Sequence, residues 1–526
     1  MAALRPPSLP SPALGEEGRP PSRRAILSLP IGRAKARAKL TPLALNQALR
    51  ARLPLLLAGL GLAGCAAVGP DYAPPAADVP AGWSRLDTTS QPMARADATG
   101  DISQWWLKLK DPLLSGLIEE ALEASPDLRT ARAKLREARA RRVVADAGRY
   151  PSVTASGSAS RARSSETIGG GDTRDFFSAA FDASWELDVF GGTRRSIEAA
   201  EADLASSEAS LEDTRVSLAS EVALNYVEVR NRQILIRIAR DNLASQSETL
   251  RITQWRAQAG LVSHQDVEQA SANREQTRAQ IPALETSLAE AEHGLDILLG
   301  KTPGTLHGRL AAAGDVPAVP DQLAVGIPAD TLRQRPDVRA AERRLAAETA
   351  RVGVAEAARY PSFNLSGSIG LEALTFGALD NGDAATSSLL AGITAPIFDA
   401  GRLRAQVDIQ DAVREQALVA YEQAVLAALR EVEDALVALA RNRERVEALA
   451  NAVASARNAA LLARQRYSAG LIDFQSVLDS ERNVLVLEES LASARASGAQ
   501  ALIRLYKALG GGWTLAASRP AGKDTP

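Results

Sequence analysis

Residues that bind metals or carry redox chemistry are scarce in this 526-residue sequence, which has one cysteine, two methionines and three histidines. A single cysteine excludes an intramolecular disulfide framework. The histidines, His264, His293 and His307, lack the close spacing or the cysteine neighbours of a metal site. The sequence also offers no recognisable nucleophile and base arrangement and no phosphate-binding loop. We therefore expect a protein that is not an enzyme and that uses no metal or cofactor.

An excess of charge of one sign is also missing, because 61 Lys and Arg residues balance 63 Asp and Glu residues. The two kinds of charge alternate along helical stretches, which is typical of solvated helix faces. A protein that binds nucleic acid would show a basic patch or stripe, so we expect no nucleic-acid partner. Aromatic residues make up only 4% of the chain. This composition, dominated by Ala and Leu, is typical of a mostly helical protein.

Proline and internal glycine are absent from two long stretches, 193–259 and 402–469. About 68 helical residues would extend over roughly 100 Å. Apolar residues recur every seven positions in both stretches, which predicts coiled-coil packing against neighbouring helices. These residues are Val222, Val229, Ile236, Leu243 and Leu250 in the first stretch, and Val432, Leu439, Val446, Val453 and Ala460 in the second.

The two stretches belong to two copies of one unit. Tyr150-Pro151 returns as Tyr360-Pro361, and Gly260-Leu261 returns as Gly470-Leu471. The offset is 360 − 150 = 210 in the first case and 470 − 260 = 210 in the second. This period is far longer than that of a solenoid repeat. The sequence therefore predicts a duplicated unit, in which a pair of strands is followed by a long helical hairpin.

Each predicted strand pair alternates between hydroxylic or acidic residues and apolar residues, with a period of two. The strands are about as long as the 9 to 11 residues that cross an outer membrane at a tilt. We expect the apolar side to face lipid and the polar side to line a wet lumen; the alternative is a soluble sandwich with one wet face. The residues predicted to face lipid are Phe177, Phe181, Trp185, Phe363 and Leu365.

Four strands cannot close a barrel by themselves. Open strand edges are not tolerated in lipid, and single-chain barrels begin at about eight strands. The sequence therefore predicts that several copies of the chain share one barrel. A polar barrel interior that continues into long helices would form a conducting tube.

The beginning of the chain predicts a secretory signal with a lipid attachment site. Arg50 and Arg52 precede an apolar run, 53–62, that is too short to span a bilayer. The run ends in Leu62-Ala63-Gly64-Cys65, which resembles a bacterial lipobox, where the cysteine thiol receives a diacylglycerol. Acyl chains on Cys65 would anchor the protein to a membrane surface. Two alternatives are an organellar transit peptide, which the Arg-rich segment 1–49 also fits, and a buried free cysteine.

Further motifs extend from Cys65 to about Trp513. They are Val68-Gly69-Pro70-Asp71-Tyr72, Trp105-Trp106, Asp111-Pro112-Leu113, Pro126-Asp127-Leu128, Tyr150-Pro151, Trp185-Glu186-Leu187-Asp188-Val189-Phe190-Gly191 and Pro396-Ile397-Phe398-Asp399. Together they resemble the outer membrane factor family of TolC-like and OprM-like exit ducts, and more closely its lipid-anchored, NodT-like branch. The resemblance implies an all-α protein with a membrane β-barrel part. Three copies would form a 12-stranded barrel that continues into an α-helical coiled-coil tunnel.

The resemblance also implies a location, partners and sites. The homotrimer would be lipid-anchored in the outer membrane of a Gram-negative bacterium and extend into the periplasm. It would work with a periplasmic adaptor protein and an inner-membrane RND-type pump. The implied periplasmic gate residues are Arg466, Tyr467 and Asp479, although Ser476 stands where the TolC pattern has a second acid. The implied adaptor-facing tips are Gly260, Leu261, Val262, Gly470, Leu471 and Ile472.

Two other functions compete with an efflux duct. One is the outer membrane duct of a type I protein secretion system, and the other is a lipid-anchored spacer of the envelope that does not conduct.

We divide the chain into a removed signal and upstream segment (1–64), an extended tether (65–101), a first repeat (102–300), a linker (301–330), a second repeat (331–510) and a tail (511–526). Helices are predicted at 105–149, 192–300, 331–359 and 401–509, and strands at 151–164, 174–189, 361–376 and 386–398, with the long helices turning back at Gly260 and Gly470.

Overall fold

A computed structural model describes residues 67–76, 79–84, 104–320 and 328–511, together with two short strands, Ala94–Arg95 and Leu323–Ala324. The predicted signal segment, Cys65 and the tail from residue 512 onwards lie outside the described residues. None of the described helices is both long and apolar enough to cross a membrane.

Helices make up most of the described chain. The longer ones are α1 (Pro112–Ala124), α2 (Pro126–Ala147), α3 (Gly192–Gln258), α4 (His264–Leu298), α5 (Pro336–Ala357), α6 (Arg402–Ser468) and α7 (Phe474–Ala508). Shorter helical turns are Trp105–Leu109, Glu166–Gly169, His307–Leu310, Pro328–Gln334, Phe376–Ala378 and Gly382–Ala384. The strands of the main sheet are β1 (Ser152–Arg163), β2 (Thr173–Leu187), β3 (Ser362–Ala373) and β4 (Ala385–Thr394).

The two long helices, α3 and α6, each have 67 residues. Each begins after a glycine with a φ of 86°, Gly191 or Gly401, a left-handed backbone that favours glycine. Of the ten heptad residues, Leu243 and Val446 are half-buried and the other eight are buried. The predicted length and the predicted coiled-coil stripe are therefore both confirmed in the chain.

The predicted helix 105–149 is wrong as a continuous element. A short 3-10 helix ends before Lys110, which has a φ of 53°, and α1 and α2 are then separated at Ser125. The second repeat has the same break, because Pro328–Gln334 ends before Arg335 and α5 begins at Pro336. Proline lacks a backbone N–H and disfavours a helical conformation of the preceding residue, so each Pro starts a new helix.

The main sheet is antiparallel, with the strand order β1-β2-β3-β4. Its register places the hydroxylic and acidic residues on one face, as in the pairs Thr154 with Asp182 and Asp182 with Ser368. The five residues predicted to face lipid lie together on the opposite face, where Trp185 pairs directly with Leu365. The strand predicted at 386–398 ends earlier, at Thr394, because Pro396 cannot donate a ladder hydrogen bond.

The described residues 67–76 and 79–84 of the predicted tether have no regular structure, whereas Ala94–Arg95 forms a short strand that pairs in parallel with Leu323–Ala324. Residues 67–76 and 79–84, here called the strap, lie against α3, α5 and α6. The side chain of Trp83 is buried, and Val79 packs on an apolar cluster that includes Val338 and Val425. The strap is thus a packed part of the second repeat as well as a connection to the N-terminus.

A polar node joins α1 to α3. The carboxylate of Asp111 caps α1 by accepting from the backbone N–H groups of Leu113 and Leu114, at 3.0 and 3.1 Å. Its other oxygen accepts from the hydroxyl of Tyr226 at 2.6 Å. Burial raises the pKa of Tyr226 to about 12, so the phenol stays a donor across the physiological range. Arg230 completes the node by donating to the Tyr226 hydroxyl at 3.0 Å.

We predict that Asp111→Ala destabilises the fold by about 2–4 kcal/mol, because it removes both a helix cap and a charge-assisted hydrogen bond. Urea unfolding of the detergent-solubilised protein would measure the loss as a lower midpoint at an unchanged slope. The control is Asp127→Ala, which removes an exposed carboxylate that caps nothing and should cost less than about 0.5 kcal/mol. Equal losses in the two variants would contradict the role of the node.

Candidate functional site at the helix turns

The two long hairpins reverse direction through turns of the same geometry. After α3, Gly260 has a φ of 72°, and the backbone N–H of Leu261 donates to the carbonyl of Arg256 at 2.8 Å. After α6, Gly470 has a φ of 75°, and the N–H of Leu471 donates to the carbonyl of Arg466 at 2.9 Å. This is the Schellman arrangement, which needs a left-handed residue after the helix. Glycine is therefore required at both turns.

Each returning helix has its own cap. Ser263 and Asp266 form a capping box at the start of α4, with hydrogen bonds of 3.1 and 3.2 Å. Asp473 caps α7 by accepting from the N–H of Ser476 at 3.0 Å. Ser476, which replaces an acid of the TolC pattern, is thus used to close the cap, because its hydroxyl also donates to Asp473 at 2.6 Å.

The turns expose one large apolar side chain each. Leu261 is 68% exposed and Leu471 is 73% exposed. The next residues, Val262 and Ile472, are half-buried and pack against a cluster beneath the turns that includes Phe474. The predicted tips therefore present paired leucines on a packed base, a geometry that suits a partner protein. Their contact with an adaptor stays a prediction.

The three predicted gate residues occupy different environments, and no hydrogen bond or ion pair joins their side chains. Tyr467 is buried, with its ring centroid 5.4 Å from that of Phe474. Arg466 is exposed, and its side chain forms no ion pair or hydrogen bond with the described part of the chain. Asp479 is exposed and accepts from the amide of Gln475 at 3.0 Å. Only Arg466 and Asp479 are accessible to a neighbouring molecule.

Arg256 is a residue of this site that the sequence analysis missed. Its guanidinium carbon lies 4.3 Å from the centre of the Tyr467 ring, and it also donates to the Tyr467 backbone carbonyl. Arg256 is the repeat counterpart of Arg466, since 466 − 210 = 256. The repeat therefore contained a signal for Arg256. The two arginines differ in environment, because Arg256 ties α3 to α6 whereas Arg466 is exposed and makes no such contact within the described part of the chain.

Glu481 is a second residue that was missed. It is 2% exposed, accepts from the hydroxyl of Thr249 at 2.6 Å, and pairs with Arg464 at 3.1 Å. Its other oxygen has no partner among the described residues. Burial raises the pKa of Glu481, although the Thr249 hydrogen bond and the Arg464 charge act in the opposite direction. An acid within the apolar stripe of α7, between Leu478 and Leu485, was the available signal.

The described residues contain no cluster of His, Cys, Asp or Glu that could hold a metal ion. The model of one protein family, described as outer membrane efflux protein, matches the chain twice, at residues 117–301 and 327–511. The two matches are displaced by 327 − 117 = 210 at their starts and 511 − 301 = 210 at their ends, which is the offset of the repeat. The chain belongs to the outer membrane efflux protein family. Members of this family are channels rather than enzymes.

The alignments of this outer membrane efflux protein with its relatives span nearly the whole length of each relative. Nodulation protein T of Rhizobium leguminosarum bv. trifolii is 33% identical, over 86% of this chain and 95% of the relative. Toluene efflux pump outer membrane protein TtgC of Pseudomonas putida is 32% identical, over 90% of this chain and 99% of the relative. The solved outer-membrane channel OprN is 36% identical, with a TM-score of 0.79 over 85% of this chain and 99% of that one.

These findings confirm the family and the fold class, a mostly helical protein with a membrane β-barrel part. They also confirm the predicted function: the chain is an outer membrane exit duct for efflux. The outer membrane location follows from the same relatives.

We predict that Arg466→Ala or Asp479→Ala raises the single-channel conductance of the purified protein in a planar bilayer by about twofold or more. Charged side chains at a constriction restrict ion passage, and both of these are exposed beside the turns. The matched control is Arg445→Ala, which removes an exposed arginine 21 residues earlier on the same helix. A wild-type conductance in both gate variants would remove these residues from the gate, and a protein that inserts but never conducts would favour the spacer.

We also predict that the wild type loses stability relative to Glu481→Gln as the pH rises from 4.5 to 8. Because burial raises the pKa of Glu481 in the folded protein, protonation favours folding. That contribution is present below the ordinary glutamate pKa and is lost as the pH rises through the raised value. Urea midpoints of both proteins across this range provide the measurement. A difference that is constant with pH would mean that the folded and unfolded pKa values are equal.

Proposed function

We propose that three copies of this chain form a lipid-anchored duct that receives substrates from a periplasmic adaptor and an inner-membrane RND-type pump and conducts them passively out of the cell. The exit function belongs to the family. The homotrimer, the lipid on Cys65, the particular partners and the gate are our inferences. The difference in burial between the two repeats carries the proposal, because it identifies a surface that a second copy would cover.

Inside the chain, α3 packs against α5. The hydroxyl of Ser206 donates to the carbonyl of Ala340 at 2.9 Å, and Asp203 forms an ion pair with Arg351. The small residue Ala199 is only 4% exposed in this part of α3. By the offset of 210, the equivalents of α3 and α5 are α6 and α2. Within one chain these two helices have no such packing with each other.

The unpaired faces carry large apolar side chains. Ile409, the counterpart of Ala199, is 63% exposed on α6. Val419, the counterpart of the buried Ala209, is also exposed. On α2, Val143 and Val144 are 64% and 75% exposed. If α2 of a second copy packs on α6 as α5 packs on α3, Ile409, Val419 and Val143 become buried and Val144 becomes half-buried, like their counterparts in the α3–α5 contact. Such a head-to-tail contact closes a ring when the rotation between successive copies adds up to a full turn.

The sheet supports the same arrangement. Strands β1 and β4 are its edges, and open edges are not tolerated in hydrocarbon. The pairing of β2 with β3 is the template for pairing β4 with β1 of the next copy, since those strands are their repeat counterparts. Three copies of the four-stranded sheet then give the 12 strands that the resemblance implies. The hydroxylic and acidic face would line the lumen, and the face with Phe181 and Trp185 would meet lipid.

The relatives favour a pump-coupled duct over type I protein secretion. TtgC is named as an outer membrane protein of a toluene efflux pump, and several other relatives carry efflux pump names. This chain resembles them over almost their whole length. We infer that its partners are of the same kind, and that the exposed leucines at the two turns receive the adaptor. The transported substrates would be selected by the pump.

We predict that Thr394→Cys combined with Ser156→Cys gives cross-linked dimers and trimers when a short bifunctional thiol reagent is added. Ser184 pairs with Ser366 between β2 and β3, and the repeat maps this pair to Thr394 and Ser156 of the next copy, since 184 + 210 = 394 and 366 − 210 = 156. Denaturing gel electrophoresis after cross-linking provides the measurement. Cys65 is the only native cysteine, so the background is low.

The matched control is Ser184→Cys combined with Ser366→Cys, which places both thiols within one chain. This control should react without changing the size of the chain. A ladder that continues beyond three copies would contradict closure at a trimer. A Thr394 and Ser156 variant that stays monomeric while the control reacts would contradict the head-to-tail pairing.

A further inference from the structure

The upper part of the strap is bound at the junction between the sheet and the long helices. The backbone N–H of Val68 donates to the carbonyl of Phe190 at 3.0 Å, between the end of β2 and the start of α3. Ala67 lies against Gly191, where an added Cβ would come within 2.5 Å of the Ala67 Cβ. The strap therefore begins in contact with the base of the barrel strands.

Arg195 holds the next residues. It is 5% exposed, and its guanidinium donates to the carbonyls of Val68 and Gly69 at 3.1 and 3.2 Å. It also donates to the carboxylate of Asp71 at 2.7 Å. Three of its four recorded acceptors thus lie on the strap, and the fourth is Glu198 of its own helix. A buried arginine whose N–H donors are satisfied in this way forms a specific binding site for a peptide segment.

Glycines allow the strap to approach this closely. Gly69 has a φ of 91°, and a Cβ there would lie 2.4 Å from the Cα of Gly353 in α5. A Cβ on Gly353 would in turn lie 2.9 Å from the Cγ of Arg195. Contacts below 3.0 Å cannot be accommodated without movement, and at Gly69 the obstacle is backbone. Gly69, Gly353 and Arg195 therefore fit together as one unit, here called the clamp.

The duplication shows that the duct wall itself does not need this clamp. The counterpart of Arg195 is Ala405, since 195 + 210 = 405, and the counterpart of Gly353 is Val143, since 353 − 210 = 143. The other repeat thus has an alanine and a valine where the clamp has an arginine and a glycine. The buried arginine and the glycine beside it occur only where the strap lies, and not at the equivalent positions of the duplicated unit. We therefore assign both residues to binding the strap.

After the residues bound by the clamp, the strap continues along the second repeat. The hydroxyl of Tyr72 donates to Glu342 of α5 at 3.1 Å. Further on, the N–H of Ser84 donates to Glu433 of α6 at 2.6 Å. The strap is therefore fixed near its N-terminal end by Arg195 and held at two further points.

We propose that the clamp formed by Arg195, Gly69 and Gly353 holds the lipidated N-terminus at the junction of β2 and α3, so that the lipid is a fixed part of the barrel rim instead of a flexible leash. The inference rests on the proposed acylation of Cys65. Only Ala66 separates Cys65 from Ala67, and two residues extend over at most about 7 Å. Clamping Val68 and Gly69 therefore fixes the acyl chains beside the strand ends.

The test compares the full-length, membrane-purified wild type with Arg195→Met and Gly69→Ala. Arg404→Met is the matched control, because Arg404 is also an arginine near the start of a long helix but is exposed and makes no hydrogen bond or ion pair with the strap. Hydrogen exchange of the peptide that contains Val68 reports whether the clamp is closed. A photo-crosslinking amino acid in place of Ala66 reports where the terminus lies.

We expect the Val68 amide to exchange at least about tenfold faster in Arg195→Met and Gly69→Ala, which corresponds to about 1.4 kcal/mol, and to be unchanged in Arg404→Met. In the wild type the photo-crosslinks should fall within residues near Phe190 and Gly191, and in the two clamp variants they should spread or disappear. Gly69→Ala alters only the strap, so it separates loss of the clamp from damage to α3.

Unchanged exchange and unchanged crosslinks in both clamp variants would overturn the proposal. So would wild-type crosslinks that are spread over distant residues, because the terminus would then be a leash. The intact mass of the mature protein tests the proposed function separately. A mature chain that lacks a diacylglycerol at Cys65 would refute the lipid anchor, whereas an acylated chain with an open clamp in the wild type would refute only the clamp.

Discussion

Unpaired backbone groups at the edges of a four-stranded sheet are the constraint on which the rest of this structure depends. Hydrocarbon offers no water to β1 and β4, so their N–H and C=O groups need partners from another strand. The chain meets this need by duplication. Its internal pairing of β2 with β3 is a template that a second copy can repeat at the edges. In the proposed trimer, the same offset that closes the sheet would also bring the long helices of neighbouring copies together.

Duplication does not make the two halves equal. Arg256 is tied to Tyr467 within the chain, while its counterpart Arg466 is exposed. Arg195 is buried under the strap, while its counterpart Ala405 is exposed. At Arg195 the difference occurs where one half meets the N-terminal segment, and at Arg466 it occurs on a surface that the proposed trimer would offer to a neighbouring copy. A duplicated chain can thus build a ring from near-equivalent parts and still give single positions separate tasks.

Much of the fold could be predicted because it is encoded in short periods. A period of two assigned the sheet faces correctly, from Phe177 on one side to Asp182 on the other, and a period of seven assigned the buried stripe of α3. The candidate site was harder to predict. The place of Tyr467 at a gate stays a prediction, but its burial against α3 was not foreseen, and Glu481 was not recognised as buried at all. These outcomes depend on contacts such as that of Glu481 with Thr249, which are 232 residues apart in the chain.

The sequence by itself determined most of the elements, the duplication and the need for further copies, because periodicity and strand number act locally or by counting. Only the tertiary structure decided which polar groups are buried and which segment fills which groove. The Pro-rich composition of the strap predicts an extended conformation, but nothing in it says that Arg195 will bind its carbonyls. Burial is set by neighbours that are distant in the chain, and a buried arginine is stable only where folding brings its acceptors to it.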